Sequence, residues 1–395
     1  MKTISILGST GSVGRSTVDL VQSHRNLYTV NVLTAQKNVK LLADQARMLK
    51  AKKAVIGDET LLGELKALLS GTETKCAAGR AAIIESSSDP ADWIMAAIVG
   101  MAGLEPLLAA IRQGTCVAIA NKEPLVAAGP LVIAEAEKYG TTLLPVDSEH
   151  NAVFQCFEVN NRAGIARIVL TASGGPFRTW TATQMENATP KQAIAHPNWA
   201  MGAKISVDSA TMMNKALEVI EAHHLFDLPA EKIDVLLHPQ SIVHSMVEYT
   251  DGSFLAHLGA PDMRTPIAHA LGWPERIATS GLRLDLGTLK RLDFEPLDHE
   301  KFPAVAMAYR CLRAGHGACV AFNAANEVSV QAFLDGTLNF GGILKVVGAV
   351  LDQFYDKTVE LSELEAILSF DQTVRESTKS YILSYNTNPH SVSAL

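Results

Sequence analysis

The chain begins with a strand pattern, Lys2-Thr-Ile-Ser-Ile-Leu7, that runs directly into Gly8-Ser-Thr-Gly11-Ser-Val-Gly14 and then into an amphipathic segment. An apolar strand must here turn into a helix within a handful of residues, and glycines at such a turn remove the side chains that would keep other backbone away. The same unit then repeats. Up to about residue 146, apolar runs at 4–7, 29–34, 54–57, 93–99, 116–120 and 142–145 alternate with helical patterns such as 14–23 and 39–49. Strands that are apolar on both faces and separated by helices pack as the middle layer of a parallel, doubly wound sheet. An α/β architecture is expected for this part of the chain.

Beyond it the texture changes. Between 147 and 272, strand patterns at 167–171 and 234–237 are interleaved with loops rich in Gly, Pro, Asn and His. This predicts an α+β catalytic domain, because chemistry concentrates on loops held by a rigid scaffold. Residues 273–298 carry little periodicity and are expected to be a linker. From 299 to 395 the pattern is helical, at 303–314, 318–334, 342–354 and 361–382, with Gly315, Gly336, Gly341 and Gly342 in the gaps. That spacing predicts a C-terminal helical bundle, with a loose tail over 386–395.

Of 395 residues, 48% are hydrophobic and 19% charged, enough apolar content for two or three folded domains. The net charge is −7 and no long Lys/Arg run occurs, so the basic face that nucleic acid requires is not expected. The most apolar stretch, 93–111, is interrupted by Gly100, Gly103, Glu105 and Pro106, and no membrane span is expected. Five cysteines, an odd number without a Cys-x-x-Cys pair, fit reduced thiols. A strand pattern starting at residue 2 leaves no room for a leader, so a cytoplasmic protein is expected.

The first glycine string is spaced G-x-x-G-x-x-G. At a first βα turn, glycines let the backbone approach a pyrophosphate while amides at the helix N-terminus hold its charge. A dinucleotide is therefore expected on a Rossmann-like domain over 1–146. Strand two of an NAD-binding domain usually ends in Asp or Glu; here it ends Leu33-Thr-Ala-Gln-Lys37-Asn38, with a cation and no acid. A 2′-phosphate is the better match, which favours NADP. Asn121-Lys122-Glu123 closes the run 116–120, where open α/β sheets place their ligands.

Asp147-Ser-Glu149-His150 follows the run 142–145. In an extended backbone, residues i and i+2 point the same way, so Asp147 and Glu149 can converge; otherwise they would serve as helix-capping acids. The segment 205–221 is expected to form one helix capped near Asp208 or Ser209, with Asn214, Lys215 and Glu218 on one face. A Lys–Glu pair so placed is commonly a solvated face, but amide, cation and acid together also suit a phosphate and a metal. Asp147, Glu149 and Glu218 form an all-oxygen set with open positions, as Mg2+ or Mn2+ prefers; zinc would want His or Cys. Ser173-Gly-Gly can bind an anion through its amides. His196-Pro-Asn-Trp199-Ala-Met201-Gly202 suits either a packed loop or a lid that excludes water. His238-Pro-Gln-Ser-Ile-Val-His244-Ser245 leaves a strand, where each His serves equally well as a cap.

Together these strings resemble the 1-deoxy-D-xylulose 5-phosphate reductoisomerase family, most specifically at 8–14, 121–123, 145–151, 171–177, 196–226, 238–245 and 261–266, in one order along essentially the whole chain. The resemblance implies that Asp147, Glu149 and Glu218 hold the metal, Mg2+ or Mn2+ with Co2+ as an alternative. It implies NADPH contacts at Thr10, Gly11, Ser12, Val13, Lys37, Asn38, Asn121, Glu123 and Gly202. Ser173, Ser209, Asn214 and Lys215 would hold the substrate phosphate. Lys122, Ser148, Glu149, His196 and Glu218 would also contact substrate, with Lys122, Glu149 and His196 catalytic. Trp199 and Met201 would lie on the closing loop. The implied activity is NADPH-dependent, metal-assisted rearrangement and reduction of 1-deoxy-D-xylulose 5-phosphate to 2-C-methyl-D-erythritol 4-phosphate, in non-mevalonate isoprenoid biosynthesis. The implied assembly is a homodimer, and the implied inhibitor is fosmidomycin. Gln36 departs from the family's commoner Gly, and Pro124 follows the Asn-Lys-Glu string. Two rivals are a phosphorylating dehydrogenase of the semialdehyde type, whose nucleophile would have to be Cys156, and a non-catalytic NADP-sensing regulator, which has no use for three convergent carboxylates.

The end of strand two yields a first prediction. NADPH should exceed NADH in kcat/KM by on the order of tenfold to a hundredfold, the loss expected for one charge-assisted hydrogen bond. Equal values in steady-state kinetics would overturn this reading of residues 35–38.

Overall fold

The computed structural model describes residues 1–199, 201–355 and 361–387. Its contacts divide the chain into two compact units. One comprises Met1–Pro124, Val132–Asn151 and Asp262–Leu282; the other comprises Leu125–Leu131, Ala152–Pro261 and Arg283–Leu395.

The first unit is built on seven parallel strands: β1 (Lys2–Leu7), β2 (Tyr28–Ala35), β3 (Lys53–Ile56), β4 (Lys75–Ala78), β5 (Trp93–Ala96), β6 (Cys116–Ile119) and β7 (Thr142–Pro145). They lie in the order β4-β3-β2-β1-β5-β6-β7. The expected parallel sheet is present, and its central strands are closed to water on both faces: Ile4, Ile6, Leu7, Ile94 and Met95 have no exposed surface. β4 carries no sequence signal because Lys75-Cys-Ala-Ala lies half-buried at the sheet edge and contains no β-branched residue. The order in which successive strands are added reverses between β1 and β5, which is where open α/β sheets bind ligands. The helix Arg264–Gly272 completes this unit from far along the chain, its carbonyls at Ala270 and Leu271 accepting from Trp93 Nε1 and Tyr28 Oη.

The helix Val39–Leu49 starts where Asn38 Oδ1 accepts the Leu41 N–H, and it stops at Lys50 in the left-handed region. The helix Glu123–Tyr139 bends at Ala128 (φ −143°), two residues before Pro130, whose missing N–H and bulky ring interrupt the ladder.

The second unit carries a mixed five-stranded sheet: β8 (Ile165–Ala172), β9 (Ile233–Leu237), β10 (Val243–Tyr249), β11 (Phe254–Leu258) and β12 (Glu295–Pro296), in the order β11-β10-β8-β9-β12. β8 and β9 run parallel and the remaining pairs antiparallel. β12 lies inside the stretch expected to lack regular structure; two residues are too few to leave a periodicity. The helix Met213–Phe226 packs on this sheet, and Ala304–Ala314, His316–Leu334, Phe340–Phe354 and Leu364–Thr387 complete the core around Ile168, Leu217, Ile220, Phe322 and Val347. The last helix reaches Thr387 and so includes the first two residues of the expected loose tail; residues 388–395 lie outside the described residues.

Two local expectations are corrected. Residues 205–221 form not one helix but two, Ala203–Ala210 and Met213–Phe226, so Asp208 and Ser209 sit inside the first rather than capping the second. Met212 takes φ +62° between them, and Thr211 Oγ1 accepts the Met213 N–H while donating to the Val207 and Asp208 carbonyls. Nothing in an apolar repeat announces a turn held by one threonine. Residues 147–149 are not extended either. A helix runs from Ser148 to Cys156, Asp147 O accepts the Asn151 N–H, and Asp147 Oδ1 accepts the Glu149 N–H at 3.3 Å. Asp147 thus caps a helix whose first turn carries Glu149.

Candidate active site

The nucleotide turn follows β1. Gly8 has φ +89°, and a Cβ there would stand 2.5 Å from the Ala97 carbonyl oxygen beyond β5; a Cβ on Gly14 would stand 2.2 Å from Gly8 O. These contacts, rather than flexibility, are what require glycine. Ser9 is fixed to the helix Val39–Leu49 by a reciprocal pair, Ser9 Oγ to Gln45 Oε1 at 2.7 Å and Gln45 Nε2 to Ser9 O at 2.9 Å. Gly11 caps the 12-residue helix Ser12–Ser23, placing Ser12 and Val13 at its positive N-terminal end. Lys37 and Asn38 are exposed beyond the end of β2. An acid missed by the sequence reading, Asp58, follows β3. It accepts from Thr60 N and, at 2.6 Å, from Thr60 Oγ1; these bonds lower its pKa, and Lys37 adds a smaller contribution.

At the end of β6, Asn121 is nearly buried. Its Nδ2 donates to Gly100 O at 3.0 Å while its Oδ1 has no hydrogen-bond partner among the described residues. Lys122, also nearly buried, holds Asp147 Oδ2 at 2.7 Å. Ser148 Oγ donates to Glu149 Oε2 at 2.6 Å. Asn151 secures the start of this helix through Pro145 O and His269 Nδ1. The two acids that the sequence brought together therefore stand on one helix start, with a lysine against one of them.

In the second unit the Ser173 turn follows β8. Gly174 (φ +84°) and Gly175 (φ +65°) bend it, and a Cβ on Gly175 would meet Ser209 O at 2.6 Å, so the turn lies directly against the helix Ala203–Ala210. Ser173 Oγ accepts the Gly175 N–H at 3.1 Å and meets His196 Nε2 at 2.9 Å. His196 Nδ1 accepts the Asn198 and Trp199 N–H groups, at 3.1 and 3.0 Å, which fixes the proton on Nε2. His196 therefore donates to Ser173, and burial pushes its pKa down to about 4, keeping the ring neutral at physiological pH.

Asn214, Lys215 and Glu218 share one helix as expected. Glu218 has no exposed surface, and it receives Asn214 Nδ2 on Oε1 and Lys215 Nζ on Oε2. Behind them Asp208, also buried, bonds Lys204 Nζ and Asn326 Nδ2, both at 2.9 Å, which anchors the helix that carries Ser209. Sequence reading missed this role for Asp208, because its partner Asn326 lies 118 residues away.

The segment 196–202 has no regular structure before Gly202, which caps the helix Ala203–Ala210; residue 200 lies outside the described residues. Asn198 Nδ2 ties it to Pro239 O (2.8 Å) and Ser241 Oγ (3.1 Å). Trp199 is half-buried with its ring 6.1 Å from that of His244, and Met201 is half-buried. His238 bonds Asp293 O through Nδ1, and His244 lies within β10, so neither is a simple strand cap. Cys156 is half-buried and burial raises its thiol pKa, the opposite of what a nucleophile needs.

Family profiles for 1-deoxy-D-xylulose 5-phosphate reductoisomerase match residues 4–129, its C-terminal domain residues 143–226, and the DXP reductoisomerase C-terminal domain residues 258–377. A reductoisomerase of this name from Rhodospirillum centenum is 56% identical over 375 residues, covering 95% of this chain and 93% of its own length. The chain belongs to the 1-deoxy-D-xylulose 5-phosphate reductoisomerase family. The Zymomonas mobilis member is 52% identical over 374 residues, covering 95% of this chain and 96% of that one. Among solved structures, the Zymomonas mobilis reductoisomerase in complex with NADPH matches with a TM-score of 0.91 at 50% identity, covering 96% of this chain and 99% of that one. A reductoisomerase complex with NADPH, fosmidomycin and magnesium matches with a TM-score of 0.93 at 44% identity, covering 97% and 98%.

Trp199 stands outside the apolar core of the second unit. Trp199→Ala should therefore cost less than about 1 kcal/mol of stability, against roughly 3–5 kcal/mol for a buried core aromatic. Turnover or substrate affinity should fall on the order of tenfold if the loop closes over substrate. A steep drop in melting temperature with unchanged kinetics would make Trp199 a core residue.

Proposed function

We propose that the chain is an NADPH-dependent oxidoreductase that converts 1-deoxy-D-xylulose 5-phosphate to 2-C-methyl-D-erythritol 4-phosphate with a divalent cation, in non-mevalonate isoprenoid biosynthesis. The observation that carries the reading is the helix Met213–Phe226, where a buried carboxylate, a buried lysine and an amide converge, preceded by Ser209 against the Ser173-Gly-Gly turn. A hard-cation ligand and a phosphate grip are built into adjoining turns of one helix.

The residues fit the groups they would hold. The three acids offer only oxygen donors, which suits Mg2+ or Mn2+ on Asp147, Glu149 and Glu218. The buried Oδ1 of Asn121 needs a donor, and the glycine turn exposes helix amides to a pyrophosphate. Thr10, Gly11, Ser12, Val13, Lys37, Asn38, Asn121, Glu123 and Gly202 form the proposed NADPH set. When bound, the cation polarises the substrate's ketone and hydroxyl oxygens and NADPH supplies hydride.

The side chains do the rest. Ser173, Ser209, Asn214 and Lys215 hold the phosphate, so that binding energy remote from the reacting carbons fixes their position. Neutral His196 donates from Nε2 at the phosphate end, where Ser173 already receives it. Lys122 brings a positive charge beside Asp147, and Ser148 and Glu149 face substrate hydroxyls from the same helix start. Trp199 and Met201 exclude water when the loop closes.

Functionally we divide the chain into an NADPH-binding part (1–146), a catalytic part (147–272), a linker (273–298) and a C-terminal helical part (299–395). The protein acts as a cytoplasmic homodimer. Its dimer contact is supported by β11, an edge strand that exposes Phe254, Leu255 and Leu258, an apolar edge that invites pairing. The thiols support a reducing compartment, since Cys76, Cys116, Cys156, Cys311 and Cys319 are all free. No helix among the described residues is long and apolar enough to cross a membrane.

Following NADPH oxidation at 340 nm with 1-deoxy-D-xylulose 5-phosphate tests the reading. Activity should appear with Mg2+ or Mn2+, vanish in EDTA and return on adding metal. Glu218→Gln should lose at least on the order of a hundredfold in kcat while its thermal unfolding remains cooperative. Full turnover in EDTA would refute the metal-dependent mechanism.

A further inference from the structure

The side chains assigned to phosphate and to cation are not independent. Asn214 and Lys215 stand at the start of the helix Met213–Phe226, and Glu218 stands one turn on. Both oxygens of the Glu218 carboxylate are engaged by these two residues, Oε1 by the amide and Oε2 by the ammonium. Lys215 and Glu218 are almost wholly shielded from water. In such a place charges are screened weakly, and each group feels its neighbour's charge far more than it would at the surface.

A phosphate gripped by Lys215 then sits within one lysine head-group of the Glu218 carboxylate. The ammonium has three donors and can reach both anions, but its single positive charge cannot neutralise a carboxylate and a phosphate dianion together. The excess negative charge must be met from elsewhere. A divalent cation on Glu218 offsets it.

Resting on the assignment of phosphate and cation made above, we propose that Glu218 couples the two ligands. Beyond holding metal, it engages Asn214 and Lys215 itself, and its charge competes with phosphate for them until a cation binds. Metal and phosphate therefore strengthen each other's binding through one side chain. Linkage makes the effect reciprocal: each raises the affinity of the other by the same factor.

The test is calorimetric and uses the full chain with inorganic phosphate and no nucleotide, so that no chelating substrate group contributes. In the wild type, Mg2+ should tighten phosphate binding relative to EDTA on the order of tenfold, and phosphate should tighten Mg2+ binding by the same factor. In Glu218→Gln, phosphate in EDTA should bind more tightly than it does to the wild type in EDTA, and the gain from Mg2+ should largely disappear. A merely structural role for Glu218 would weaken phosphate binding instead. Lys215→Met should weaken phosphate binding in either buffer.

Equal wild-type affinities in EDTA and Mg2+ overturn the coupling, and that measurement needs no variant. So does a Glu218→Gln protein, folded by its thermal transition, that binds phosphate no more tightly in EDTA. A Lys215→Met protein with unchanged phosphate affinity overturns the phosphate assignment itself, separately from the coupling.

Discussion

Keeping a carboxylate in the interior of the second unit sets conditions on everything around it. Glu218 lies fully buried in a helix that also buries Met213, Leu217, Val219 and Ile220, so its charge has no water to answer it. Lys215 and Asn214 answer it from the preceding turn. Leaving such a charge without its partner would cost about 3–5 kcal/mol. The pairing in turn requires the helix to start abruptly at Met213, which the left-handed Met212 and the Thr211 hydroxyl provide. It also requires the helix before it to be held in place, which Asp208 does through Lys204 and Asn326.

The first unit meets a related demand with backbone rather than side chains. Glycines at 8 and 14 let strand and helix approach within distances that no Cβ permits. The amides of the helix Ser12–Ser23 become a fixed positive end that needs no lysine. Side-chain charge enters the same unit at Lys122, which holds Asp147. On the proposed reading, both units would meet an anionic ligand with groups already in place, which is what electrostatic preorganisation requires.

Much of this was legible in the residues. Apolar strands with nothing polar to turn outward can only be central strands of a parallel sheet, and β1, β5 and β6 are that. Asn214, Lys215 and Glu218 followed from helical spacing alone, because helix periodicity is local. Failures came where a single long-range or side-chain bond decides the backbone. The break at Thr211–Met212 depends on one hydroxyl, and the helix at Ser148 on one capping carboxylate, so an extended Asp147-Ser148-Glu149 was the wrong local picture behind the pairing of those acids. Asp208, Asn198 and Gln45 were invisible for another reason: their partners lie tens to more than a hundred residues away, and no spacing within a motif records them.

Anomalous scattering from crystals soaked in Mn2+ bears most directly on the proposed claim that Asp147, Glu149 and Glu218 serve one divalent cation. A single manganese peak should appear bonded to oxygens of Asp147, Glu149 and Glu218, with its remaining positions taken by water or substrate oxygens. The same soak of Glu218→Gln should lose that peak or leave it much weaker. A strong wild-type peak bonded to other residues, or one that survives unchanged in Glu218→Gln, would contradict the claim.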